Sequence, residues 1–183
     1  MKLPATQLAR GRKEELGQFL TASPVANFMA SMFGPLPKTV RLLDAGAGAG
    51  ALTLAFVSRC CEKREGVCAI EANLYELDGE IMDALSATMR ECERRCFKEG
   101  IRFTFAIHSA DFIQEMSALL ADDLFGATPP TFDAAITNPP YRKINPDSAE
   151  RRALRSVGVE TSNLCTRRSR FVRCKSSRRL GRD

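Results

Sequence analysis

Asn138, Pro139, Pro140 and Tyr141 follow the apolar run FDAAIT with no spacer. Proline fixes φ and removes a backbone donor, so two in succession hold the Asn138 side chain and the Pro139 carbonyl in one rigid place. Both groups are acceptors. An exocyclic amino group of a base, or a carboxamide nitrogen, has a delocalised lone pair and is a poor nucleophile. If Asn138 and the Pro139 carbonyl accept its two hydrogens, the nitrogen is drawn toward sp³ geometry with its lone pair facing a donor. Tyr141 adds a face on which a planar group stacks. The alternative without chemistry is a strand that ends in a Pro-rich turn.

Three further features fall after apolar runs. LLDAGAGAGALT carries Gly46, Gly48 and Gly50, a turn whose bare backbone lets a ligand approach closely and which opens into a helix N-terminus. Gly46, Gly48 and Ala51 also satisfy a G-x-G-x-x-A pattern, so this loop alone does not separate a dinucleotide from S-adenosylmethionine. Glu71, closing VCAIE, is an acid suited to both hydroxyls of a ribose. In HSADF, Asp111 is placed to accept from an adenine amino group and Phe112 to lie against the ring, while His108 is read as structural.

These residues need a scaffold, and the chain supplies alternating signals for one. Runs at 40–44, 67–71, 101–107 and 132–137 have the continuous apolar character of strands buried on both faces of a parallel sheet. Residues 51–63 and 112–124 read as helices. So do residues 74–99, where Leu74, Leu77, Ile81, Leu85, Met89, Cys92 and Cys96 recur at steps of three and four before Gly100. Ser23 reads as the N-cap and Pro24 as the first residue of a preceding helix. The expected order is helix and then β-α-β-α-β-α-β, a doubly wound α/β unit with ligands at the carboxyl ends of its strands.

The length of 183 residues suits one domain. The net charge of +5 is concentrated in residues 165–183, which carry +7 and leave −2 for residues 1–164. The body therefore has no overall signature of a polyanion binder. Residues 1–164 are expected to form the N-terminal part of the catalytic domain. The Arg/Ser/Cys-rich residues 165–183 are expected to be a disordered or out-of-frame tail. No apolar run is long enough for a membrane span and MKLPATQLARGRKEEL lacks the apolar centre of a secretory signal, so a cytoplasmic location is expected. Seven cysteines without Cys-x-x-Cys, and a single histidine, read as reduced thiols and no metal site.

Over residues 13–164 the chain resembles the adenine-N6 DNA methyltransferases that use S-adenosylmethionine, in particular the methylases of restriction-modification and related phage-defence systems. The resemblance rests on GQFLTASPVANFM before the first strand, then the Gly-rich loop, then Asn-Pro-Pro-Tyr. It implies a Rossmann-like methyltransferase fold in which about four of seven strands are present. It implies that Phe19 and Thr21 help hold the cofactor, Asp44, Gly46 and Gly48 cradle its methionine part, Glu71 binds the ribose, and Asp111 with Phe112 the adenine. Asn138, Pro139, Pro140 and Tyr141 then take a base flipped out of double-stranded DNA. No Pro-Cys dipeptide occurs, which argues against cytosine-C5 methylation and its Cys nucleophile. Arg142, Lys143, Arg151, Arg152 and Arg155 either touch DNA phosphates or form a solvated helix face. The resemblance further implies that the strand before Asn138 is a bare sheet edge, that strands and a target-recognition domain are missing beyond it, and that the chain is a truncated or frameshifted methylase. The other readings are a glutamine-N5 methyltransferase of the release-factor type, whose trap holds a carboxamide, and an inactive remnant.

Overall fold

A computed structural model describes residues 21–63, 66–121, 130–138 and 148–158. Four strands form one parallel sheet: β1 (Thr39–Ala45), β2 (Ala69–Tyr75), β3 (Arg102–His108) and β4 (Ala134–Ala135), in the spatial order β3-β2-β1-β4. Five helices accompany them: α1 (Ser23–Ser31), α2 (Ala51–Lys63), α3 (Met82–Lys98), α4 (Phe112–Ala121) and α5 (Ala149–Ser156). The chain steps outward from β1 to β2 to β3, then returns to the other side of β1. The switch point of this doubly wound unit therefore lies between β1 and β4, where ligands bind in open α/β sheets.

Both faces of the central strands are covered, which is why they read as unbroken apolar runs. Val40, Leu42, Ile70, Ala72, Leu74 and Phe103 pack with α1, α2 and α3 in the larger core, around the fully buried Phe56, Leu85 and Met89. Leu43, Ala45 and Tyr75 pack on the opposite face with Phe112 and Met116 of α4 and with Phe132. α5 packs against α4 and buries Leu154. Ser148 caps α5, accepting from the Arg151 backbone N–H at 3.2 Å. Arg152 and Arg155 are exposed along it.

The expected order of elements is present, with three boundary corrections. Residues 74–81 are not helical in the α sense: β2 runs on to Tyr75, paired residue by residue with β1 and β3, so Leu74 is strand core and Leu77 is 62% exposed. Ladder bonds on both sides outweigh a helical pattern that happens to continue the apolar run. The actual start signal is Asp78, whose carboxylate accepts from Glu80 N–H at 2.9 Å and opens a 3₁₀ turn at Gly79–Ile81. Ala22, not Ser23, is the N-cap of α1, because its extended backbone offers the first carbonyl, to Ala26 N–H at 3.0 Å. The strand expected over 132–137 keeps only two ladder residues, flanked by Asp133 N–H to Arg41 and Ile136 N–H to Leu43, each 2.9 Å. Among the described residues its one hydrogen-bonded neighbour is β1.

Gly100 ends α3 as expected. It has φ +71°, and the bonds from Gly100 to Phe97 and from Ile101 to Cys96 close a Schellman motif. Residues 122–129, 159–164 and the basic tail 165–183 lie outside the described residues. No helix among the described residues is long and apolar enough to cross a membrane. Cys60, Cys61, Cys68, Cys92 and Cys96 are not joined in disulfides among the described residues, and burial pushes the Cys92 thiol up to about 12.

Gly50 sets how closely the helix layer approaches the loop above β1. It has φ +85°, and a Cβ there would meet Met89 Cε and Thr88 Cγ2 at 3.0 Å and Leu85 Cδ1 at 3.1 Å. Gly50→Ala should therefore cost about 2–4 kcal/mol through backbone strain and overpacking, measured as a lower urea midpoint at unchanged slope.

Candidate functional site

Asp44, the penultimate residue of β1, is fully buried and accepts from Thr53 Oγ1 in the first turn of α2 at 2.8 Å. It fastens the strand to the helix, with the glycine loop strung between them. Gly46, Gly48 and Gly50 all have positive φ, at 94°, 56° and 85°. The Gly46 and Ala47 N–H groups both donate to the Tyr75 carbonyl, at 2.8 and 2.9 Å. The loop is thus held against the end of β2 and lies over the N-terminus of α2, where a negative group is favoured.

Glu71 does not stand at the end of β2, because the strand continues for four more residues. At 3.3 Å per residue it lies roughly 16 Å short of the residue that does. It pairs in register with Arg41 and Thr104, and its charge adds to a cluster centred on Arg41. There Arg41 donates Nε and Nη2 to the two Asp133 oxygens at 3.1 and 3.2 Å, and Nη1 to Thr131 at 2.7 Å. This clamp joins β1 to the entrance of β4. It holds the guanidinium above its ordinary value, chiefly through the hydrogen bond to Asp133.

The acid at the carboxyl end of β2 is Glu76, which the sequence reading missed. Its Oε2 accepts from Gly48 N–H at 2.8 Å, and its Oε1 from Leu77 and Asp78 N–H at 2.8 and 2.9 Å. It is only 7% exposed and latches the glycine loop to the next strand. Asp78-Gly79, a turn signal two residues on, was the mark in the sequence that the strand ended here and not at 71.

Beyond β3, Asp111 caps α4, its Oδ1 accepting from Gln114 N–H at 2.9 Å. Phe112 is 3% exposed and meets Tyr75 edge-on, with ring centroids 5.0 Å apart. Its ring packs in the core under α4 with Leu43, Ala45, Tyr75 and Met116. His108 stacks on Tyr75 at 4.4 Å and 9°, a packing contact. Burial, then the charge of Glu115 and the hydrogen bond to it, push the Tyr75 phenol up to about 12. The folded state thus holds this proton more tightly than the unfolded chain, where a phenol titrates near 10. The associated stability is complete below pH 10 and is lost as pH rises through 12. In a titration followed by phenolate absorbance, one of the two tyrosines should ionise near pH 12, and Tyr75→Phe should remove that step.

At the end of β4, Thr137 Oγ1 donates to the Ala45 carbonyl at 2.7 Å, tying this segment to the residue before Gly46. Asn138 follows, and its Nδ2 donates to Thr21 Oγ1 at 3.1 Å. Thr21 and Asn138 thus meet across 117 positions of sequence. Phe19, Pro139, Pro140 and Tyr141 lie outside the described residues. Asn138, the glycine loop, Glu76 and Asp111 follow β4, β1, β2 and β3 in turn. With strands about 4.8 Å apart, the row spans roughly 14 Å, a platform for one elongated ligand with the Asn at its end. Among the described residues, no three His, Cys, Asp or Glu side chains are grouped to hold a metal ion.

No family model matches the chain. Among curated proteins it is 38% identical over 155 residues to the Type II methyltransferase M.BsuBI of Bacillus subtilis, covering 83% of this chain and 30% of that protein. It is 34% identical over 152 residues to the Type II methyltransferase M.PstI of Providencia stuartii, covering 83% and 29%. The matched part of the chain is homologous to the Type II methyltransferases. An unbroken match of 152 residues in a chain of 183 necessarily includes residues 32–152. The homology to Type II methyltransferases therefore takes in the glycine loop, Glu76, Asp111 and Asn138. The chain spans less than a third of the length of these two relatives. Two solved structures are more distantly similar. A class I S-adenosylmethionine-dependent methyltransferase from Listeria monocytogenes has TM-score 0.48 and 16% identity, covering 80% of this chain and 41% of that one. The rRNA methyltransferase AviRa from Streptomyces viridochromogenes has TM-score 0.44 and 17% identity, covering 68% and 61%. Neither likeness is close enough to bear on function.

Proposed function

We propose that this chain carries the cofactor site and target trap of an adenine-N6 DNA methyltransferase that uses S-adenosylmethionine. The observation that carries the proposal is the placement of Asn138. It stands at the switch point beside the glycine loop, with one end of its amide on Thr21 Oγ1 and the other on offer to a ligand. The relatives' description as Type II methyltransferases supports DNA as the substrate over a protein glutamine.

The strand-end residues fit the cofactor. The loop's backbone and the α2 N-terminus suit its carboxylate, Glu76 suits the ribose hydroxyls, and Asp111 retains Oδ2 for the adenine amino group. Phe19 and Thr21 would close over the methionine part. When bound, S-adenosylmethionine supplies an electrophilic methyl group. The chain's own work is positioning: Asn138 Oδ1 and the Pro139 carbonyl accept the two hydrogens of the target amino group, while Pro140 and Tyr141 hold the base. The adenine must leave the helix to reach them, because its N6 group is paired inside the duplex. A neutral amide accepts a hydrogen bond but not the proton itself, so the hydrogen displaced from nitrogen passes to water.

The test is calorimetric titration with S-adenosylmethionine and separately with NADH, followed by mass spectrometry of nucleosides from duplex DNA incubated with the chain and methyl donor. Saturable binding of the methyl donor alone and N6-methyladenine in the DNA are expected. Binding of NADH alone, or methyl groups found only on cytosine, overturns the proposal.

A further inference from the structure

The backbone around Asn138 is fixed from both sides. Thr137 is tied to Ala45 at 2.7 Å, and the following proline restricts Asn138 to extended conformations. What remains open is which end of the side-chain amide faces the target. Oxygen and nitrogen are nearly the same size, so packing cannot choose between the two flips; only hydrogen-bond partners can. The partner present is Thr21 Oγ1, at 3.1 Å from Nδ2. A hydroxyl both donates and accepts, so Thr21 is compatible with either flip as long as its own hydrogen is uncommitted. Once that hydrogen is donated elsewhere, Oγ1 has only lone pairs to offer. Asn138 must then present its NH₂ to Thr21 and its oxygen to the target.

We infer that Thr21 is a positioning residue that couples the two halves of the site. By donating its hydroxyl hydrogen to the bound cofactor, it commits the Asn138 amide to the flip in which Oδ1 meets the target amino group. This rests on the proposed function, in which Thr21 lies against the cofactor and Asn138 accepts from the target. The coupling makes the target trap competent only after the methyl donor is in place, a sensible order for a site that must otherwise hold an extruded base to no purpose. Thr21, one residue before the N-cap of α1, is thereby tied to the Asn138 amide.

The test uses the full chain with ¹⁵N-labelled asparagine, the Asn138 amide being assigned by its loss in Asn138→Ala. Adding S-adenosylmethionine should slow hydrogen exchange of one Asn138 amide proton at least tenfold. Thr21→Ser should keep this response and Thr21→Val should abolish it, while Asn73 stays unchanged in all three proteins. An Asn138 amide equally protected in Thr21→Val overturns the coupling. Calorimetry on the same samples separates the two levels of inference. If the wild-type chain binds the methyl donor but the amide does not respond, the coupling fails and the cofactor site stands; if it does not bind, the cofactor site itself is wrong. Where methyl transfer is measurable, Thr21→Val should lower kcat about tenfold and Thr21→Ser less than twofold.

Discussion

Glu76→Ala should weaken binding of S-adenosylmethionine about 100-fold, while Glu71→Ala leaves it within twofold. In the proposed site the Glu76 carboxylate accepts from a ribose hydroxyl while it holds the Gly48 N–H. Hydrogen bonds to a charged group contribute about 1.5–3 kcal/mol each, so losing this one together with the anchored loop costs roughly 3 kcal/mol, about two decades of Kd. The same change frees the Gly48 N–H that Glu76 now holds at 2.8 Å, so the loop loses its tie to β2 as well. Glu76→Gln should fall between, because an amide keeps one acceptor and loses the charge. Glu71 is the informative control. It is the acid that the sequence first suggests, yet it sits in mid-strand opposite Arg41, far from the carboxyl edge. Calorimetric titration of the three variants decides the matter, and equal losses for Glu71→Ala and Glu76→Ala would refute this assignment of the ribose acid.

Asn138→Ala should lower methyl transfer to adenine about 100-fold with cofactor binding nearly unchanged. In the proposed site the side chain contributes at the reacting nitrogen, where one of the two acceptors that pyramidalise it is lost. Removing a group preorganised for a transition state typically costs 10²–10³ in kcat. Stability should fall by only about 1 kcal/mol, the worth of one partly buried hydrogen bond to Thr21. Asn138→Asp is the sharper variant: it keeps an oxygen at the position but adds a charge and cannot donate to Thr21. Single-turnover transfer of labelled methyl groups into duplex DNA, alongside calorimetry, separates the two steps. A drop in affinity equal to the drop in rate would place Asn138 in the cofactor site instead.

Much of this was legible because buried parallel strands and Gly-rich turns leave local marks. The four apolar runs, the glycines before α2 and the cap at Gly100 each follow from short-range chemistry, and each appears in the expected order. The end of β2 was not legible in the same way. Leu74 and Leu77 continue a spacing that helix α3 also uses, and only pairing with β1 and β3 assigns the first to strand and leaves the second exposed. That error put Glu71 at the strand end, where Glu76 stands. The burial of Phe112 was not legible either: an aromatic beside a strand end suits a ligand or a helix core equally, and its contact with Tyr75 is long-range. The contact between Thr21 and Asn138 spans 117 positions and has no local signature.

The two halves of the site are held by very different amounts of structure. The glycine loop and Glu76 rest on β1 and β2, long strands with seven paired residues between them and helices on both faces. Asn138 rests on β4, two paired residues joined to β1 by the Arg41–Asp133 clamp and the Thr137 bond. Cooperative units open in the order of their local stability, so the segment that carries Asn138 can detach while the loop stays formed. Under the proposed function, capture of the methyl donor can then persist where capture of its acceptor is lost. Sequence change around β4 can abolish or retarget the second without eroding the first.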